Sequence, residues 1–207
     1  MAELLRRRVV PSTIIRLSTI ERPARASAAL RRAVGGRGRV ELFFAFDDAC
    51  SAAAVLDLHG RLAGRSADLV LLPVVERGIE DDPAVADKRL YAIADARRLV
   101  RRQGLTLGRT EPLAAAEAAA LAAEAMALDE PERLVFCVDA LRRLWIDGED
   151  VTGHGDAAGE AGVRANERRM RRLGPYDTPA AVIGRQWYFA HDRAAQIVDR
   201  LDRLGWT

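Results

Sequence analysis

Lysine is all but missing from this chain: of 32 basic residues among 207, only Lys88 is not an arginine. Cysteine is nearly as scarce. Cys50 and Cys137 form neither a disulfide framework nor a Cys-x-x-Cys pair, which excludes a disulfide-built scaffold. Aromatic residues reach only 5%. No apolar run attains the roughly 18 residues that cross a bilayer, and the N-terminus lacks the apolar core of a secretory signal. His59, His154 and His191 are scattered without metal-ligand spacing. No phosphate loop, dinucleotide fingerprint or Ser–His–Asp arrangement occurs. A net charge of +2 gives the whole chain no strong electrostatic partner. Membrane, secreted-scaffold and fibrous classes are excluded, and a metal-free cytoplasmic globular protein is predicted.

What is present is an ordinary globular composition, 49% apolar and rich in alanine. The length suits one domain, or one domain carrying an insertion, large enough to bury about two-thirds of its unfolded surface. Charge is uneven. Residues 1–40 hold ten arginines against Glu3 and Glu21, whereas the remainder carries 22 basic and 28 acidic residues. Residues 1–38 therefore read as a basic arm on a mildly acidic body. Such an arm could contact nucleic acid, but Val9, Val10, Ile14, Ile15, Leu17 and Ile20 favour packing onto the body or a second subunit. Gly35-Gly36-Arg37-Gly38 reads as the hinge.

Beyond it, Val40–Phe46 is short, β-branched and aromatic, and stops at Asp47-Asp48, a buried strand ending at a helix N-cap. A helix over 51–63 closed by Gly64 and a second strand over 68–75 make a βαβ unit with a parallel pair. Residues 83–102, 112–128 and 131–146 read as helices, Gly148–Gly162 as a loop, and 163–173 as a further helix. The runs Pro179–Gly184 and Gln186–Phe189 predict a hairpin, and Asp192–Leu204 a closing helix. This order, βαβ, helices, then ββα, is that of a thioredoxin-like α/β fold with an inserted all-helical domain. The expected division is 39–80 with 174–207, and 81–173.

Several residues carry possible chemistry. Asp48, or Asp47, can cap the helix. Cys50 falls in the first helical turn, where the dipole can lower a thiol pKa. Lys88, Tyr91, Asp95 and Arg98 follow +3, +4, +3 spacing and share one helix face, a solvated stripe with an Asp95–Arg98 pair on spacing alone. Leu90, Ile93, Ala96 and Val100 should face the core.

Four stretches resemble the DsbA-like group that includes 2-hydroxychromene-2-carboxylate isomerases and kappa-class glutathione transferases. They are Val40–Ser51 (VELFFAFDDACS), the Lys88–Arg98 stripe, Leu144-Trp145-Ile146-Asp147-Gly148-Glu149, and Thr178-Pro179 through His191-Asp192-Arg193. The resemblance implies a cis Pro179, with the Thr178 backbone pairing with the cysteinyl unit of a thiol peptide. It also implies glutathione or another small thiol as cofactor, a small-molecule substrate and a homodimer. Asp47, Ser51, Lys88, Tyr91, Thr178, Pro179, Asp192 and Arg193 become ligand-binding candidates, although Asp192 could simply cap the last helix.

The departures are informative. Asp48 stands where the family carries its reactive cysteine or serine, and Ser51 where it carries the second cysteine. A dithiol cycle needs a thiolate and a resolving thiol, so disulfide oxidoreductase activity is excluded. Two readings remain. In one, Asp48, or Cys50 by a register shift, serves a thiol-dependent isomerase or transferase acting on a small unsaturated or aromatic-derived substrate. In the other, the chain is a catalytically degenerate thioredoxin-fold binding or scaffold protein.

Overall fold

The computed structural model describes residues 21–79 and 82–207. The apolar residues expected of the arm, Val9 to Ile20, lie outside the described residues. The remainder of the arm is not extended. Helix α1 (Glu21–Ala33) lies against the last helix, with Ala28 buried and the Arg32 guanidinium 5.3 Å from the Trp206 ring centre. Arg32 also donates to the Leu204 carbonyl. The expected hinge does not end loosely: Gly38 already belongs to β1, and a Cβ there would meet Trp206 at 2.8 Å.

Strand β1 (Gly38–Phe44), helix α2 (Ala49–Leu62) and strand β2 (Ala67–Pro73) form the βαβ unit, with β1 and β2 parallel and Leu42 opposite Leu71. Helices α3 (Val85–Arg102), α4 (Ala115–Ala127), α5 (Glu130–Leu141) and α6 (Ala157–Leu173) follow. Strands β3 (Ala180–Ile183) and β4 (Gln186–Phe189) and helix α7 (Ala194–Leu204) close the chain. The sheet order is β2-β1-β3-β4, with β3 antiparallel to both neighbours.

The period-2 alternation of β1 divides the core. Val40, Leu42 and Phe44 face one side with Leu58, Ile197 and Leu201, and Phe43 faces the other with Leu72 and Met170. Alanine has a physical use in α2: Ala49, Ala52, Ala53 and Ala54 are all fully buried, so the helix sits close to its neighbours. One apolar cluster runs from the sheet through Ile93, Leu121 and Trp145.

Three local expectations are corrected. The segment 148–162 is not loop throughout, since α6 begins at Ala157, capped by Asp156, which accepts from Gly159 N–H at 2.8 Å. Gly159 marks close packing instead of a loop, because a Cβ there would overlap the Ala123 carbonyl oxygen on α4. The helix expected over 131–146 widens after Leu141 into a π-helical turn, Arg142–Asp147. Leu90 faces solvent, while Ile93, Ala96 and Val100 are buried as expected.

Candidate functional site

The site forms where β1 hands over to α2. Asp48 takes an extended conformation, φ −112° and ψ 108°, and one oxygen accepts from Cys50 N–H at 3.0 Å, the N-cap geometry its position implied. The other oxygen accepts from Ser51 Oγ at 2.6 Å and from Thr178 Oγ1 at 3.1 Å. Ser51 in turn accepts from Ala45 N–H at 3.2 Å. The Thr178–Pro179 peptide bond is cis, and the Thr178 hydroxyl's contact with Asp48 places the turn before β3 against the α2 N-terminus. Asp47, Asp48, Ser51, Thr178 and Pro179 are therefore brought together.

Burial dominates the electrostatics of Asp48. It pushes the carboxyl above the usual carboxylate range, against the opposing effects of the Arg77 charge and the Ser51, Thr178 and Cys50 hydrogen bonds. Asp47, also buried, stays close to two guanidiniums: Arg77 at 2.8 Å and Arg89 at 3.3 Å. Sequence reasoning missed both arginines, since nothing separates them from the others in composition. The usable signal was topological: Arg77 follows the carboxyl end of β2, on the same edge of the sheet as the α2 N-terminus.

Cys50 lies in the first turn of α2, where a helix dipole could activate a thiol, but its surroundings act the other way. Burial, followed by the Asp48 and Asp95 charges, pushes its pKa well up, and the thiol donates to the Ala92 carbonyl at 3.4 Å. The helix dipole does not win, because its benefit near the surface is smaller than the cost of desolvating a thiolate.

Among the described residues, no hydrogen bond or ion pair joins Lys88 or Tyr91 to Asp48, although Asp177 and Tyr176 of the cis-proline turn also act on the Lys88 charge. Lys88 is 62% exposed and pairs with Asp82, whose hydrogen bond raises the ammonium above its ordinary value. Tyr91 is 65% exposed. Asp95 and Arg98 form the expected surface pair at 2.6 Å. Asp192 and Arg193 sit elsewhere. Arg193 occupies the N-cap of α7 without a side-chain bond, so Asp192 does not cap the helix. Asp192 instead lies 3.5 Å from His191 and 3.7 Å from Arg193. It lines a shallow groove of about 550 Å³ with Arg61, Arg102 and Arg142.

Aromatic side chains flank the cis-proline turn. Tyr176 is exposed and packs edge-on against Phe189, which meets Trp187 in the same way, at centroid separations of 5.8 and 5.1 Å. Among the described residues there is no cluster of metal-ligating side chains, and no helix is long and apolar enough to cross a membrane.

The chain's structure is similar to that of a 2-hydroxychromene-2-carboxylate isomerase. The TM-score is 0.60 at 14% identity, over 81% of this chain and 96% of the other. It is similar also to a probable DsbA oxidoreductase from Streptomyces coelicolor, with a TM-score of 0.61 at 16% identity, over 82% and 90% of the two chains. The fold is DsbA-like. No family model matches the sequence, and no curated protein does. At such identities the likeness describes the thioredoxin-type architecture with its helical insertion, and chemistry has to be argued from the site.

Proposed function

We propose that this protein is a glutathione-type thiol-dependent isomerase or transferase, working by acid–base chemistry at Asp48 and without dithiol exchange. One observation carries the reading: a buried carboxyl of raised proton affinity sits at the α2 N-terminus, hydrogen-bonded to the hydroxyl of Thr178 beside the cis proline. A carboxyl that keeps its proton can donate a hydrogen bond, which an ionised one cannot.

The residues fit an extended thiol ligand. The Thr178 N–H donates to the half-exposed Asp177 side chain at 2.8 Å. A ligand backbone can displace that carboxylate and pair with the Thr178 backbone. Bound there, the thiol would supply a sulfur that adds to and leaves an unsaturated substrate. Asp48 holds the proton. When it does, its contact with Thr178 runs from carboxyl to hydroxyl, and the Thr178 hydrogen turns outward, so the threonine relays a proton between Asp48 and the bound ligand. Tyr176, Trp187 and Phe189 offer an edge-on aromatic cluster against which an aromatic-derived substrate could pack. Two unpaired cysteines and a reduced thiol ligand suit a cytoplasmic setting. The proposal includes a homodimer, which light scattering measures.

Calorimetric titration with glutathione tests the proposal. Millimolar-range binding that is lost in Thr178→Pro and altered in Asp48→Asn is expected, and no binding at millimolar glutathione would overturn it. The degenerate binding-protein reading is favoured by a different observation, that both Asp48 oxygens are already engaged by the chain's own donors. It predicts a silent titration.

A further inference from the structure

Arg77 is a densely connected charged side chain at this end of the sheet. Its guanidinium is only 13% exposed and meets three segments. It lies 2.8 Å from Asp47 on the loop before α2, donates to its own loop's Val75 carbonyl at 3.2 Å, and comes within 3.9 Å of Asp177 in the turn before Pro179. The loop that carries it is itself pinned. Buried Glu167 on α6 accepts from Val75 N–H at 3.0 Å and Glu76 N–H at 2.8 Å, and Gly78 N–H donates to the Tyr176 carbonyl at 2.7 Å.

We infer that Arg77 is the positioning residue of the Asp48 site, holding the Asp47–Asp48 loop and the Asp177–Thr178 turn in register and setting the charge that Asp48 faces. This rests on the reading of Asp48 as an acid–base group. The geometry suits the task, because a planar guanidinium can address several acceptors at fixed angles, which an ammonium cannot do. The electrostatics agree: among the influences that oppose burial at Asp48, the Arg77 charge is the largest. The other charged or titratable groups around Asp48 are Asp47 and Cys50 beside it, Arg89 and Asp95 on α3, and Asp177 and Tyr176 on the turn, with Lys88 of α3 acting on both turn residues. Of the two guanidiniums, Arg89 pairs with Asp47, at 3.3 Å, while the Lys88 ammonium pairs with Asp82. Arg77 pairs with both Asp47 and Asp177, and so bridges the two loops.

The test uses the full chain without ligand, so that it does not depend on thiol chemistry. Asp48 is titrated by carboxyl carbon NMR in the parent, Arg77→Gln and Arg77→Lys, with circular dichroism to establish folding. In Arg77→Gln the Asp48 midpoint should rise above that of the parent, as loss of a nearby opposite charge implies. Arg77→Lys, which keeps the charge, should stay near the parent midpoint yet change the backbone amide shifts of Asp177 and Thr178. If Arg77→Gln does not fold, the Arg77→Lys result decides. An Asp48 that titrates alike in parent and folded Arg77→Gln, or in neither, overturns the inference, as do unchanged Thr178 shifts in Arg77→Lys. Glutathione binding is then measured separately, so that failure of the functional proposal and failure of the Arg77 role give different results.

Discussion

The Trp145 indole N–H donates to the Phe46 carbonyl across 2.8 Å, joining the π-helical turn after α5 to the residue just ahead of Asp47-Asp48. Both side chains are fully buried, and Phe46 also packs edge-on against Phe44 and Phe136. The insertion is thus tied to the loop that carries the site through a hydrogen bond that water cannot replace.

Trp145→Phe should therefore cost more than the lost ring area. The Phe46 carbonyl is left buried without its donor, a penalty of about 1–3 kcal/mol, and the Asp47-Asp48 loop loosens. Chemical denaturation measures the first effect. Amide exchange at Asp47 and Asp48, faster than in the parent, measures the second.

Asp48 makes stability depend on pH in a direction opposite to that of most carboxylates. Burial raises its folded-state pKa above the unfolded value of about 3.9. Between those two values the folded state binds more protons than the unfolded chain, so its stability falls as pH rises through the window. Asp48→Asn removes this contribution. The melting temperature of the variant minus that of the parent should grow as pH rises from about 4 toward neutrality. A difference that shrinks with pH would show a folded-state pKa below the unfolded value, with the ionised Asp48 held by its hydrogen bonds and Arg77.

Cys50 should alkylate more slowly at neutral pH than free cysteine. Its thiol is largely buried beside the Asp48 and Asp95 carboxyls and donates to the Ala92 carbonyl. Iodoacetamide labelling followed by mass spectrometry separates it from Cys137, which is more deeply buried and should react only on unfolding. Labelling of Cys50 faster than the free thiol would restore it as a nucleophile.

Gly159→Ala should destabilise the α4–α6 contact. The added methyl would overlap the Ala123 carbonyl oxygen, and backbone on both sides must move. Overpacking of this kind costs about 1–3 kcal/mol, against a gain in helix propensity of under about 1 kcal/mol. Thermal melts should fall by several degrees. Gly60→Ala on α2, where nothing lies within 4 Å of the new methyl, is the matched control and should stabilise.

The amino-acid sequence by itself determined what depends on neighbours along the chain. Strand β1, which ends at Phe44 two residues short of the expected Phe46, the Asp48 cap, the hairpin turning at Gly184-Arg185 and the stripe of α3 are local consequences of side-chain period and capping. The order of those elements, with the motifs that resemble a known family, carried the thioredoxin-like architecture. What it could not assign were the partners of charged groups. Lys88, singular in composition, pairs with Asp82 at the surface, while Arg77, one arginine among many, links the two loops of the site. Spacing says which residues share a face but not what that face meets. Which way a carboxyl's proton affinity moves, or a thiol's in a first helical turn, depends on desolvation by residues distant in sequence, which only the tertiary structure brings together.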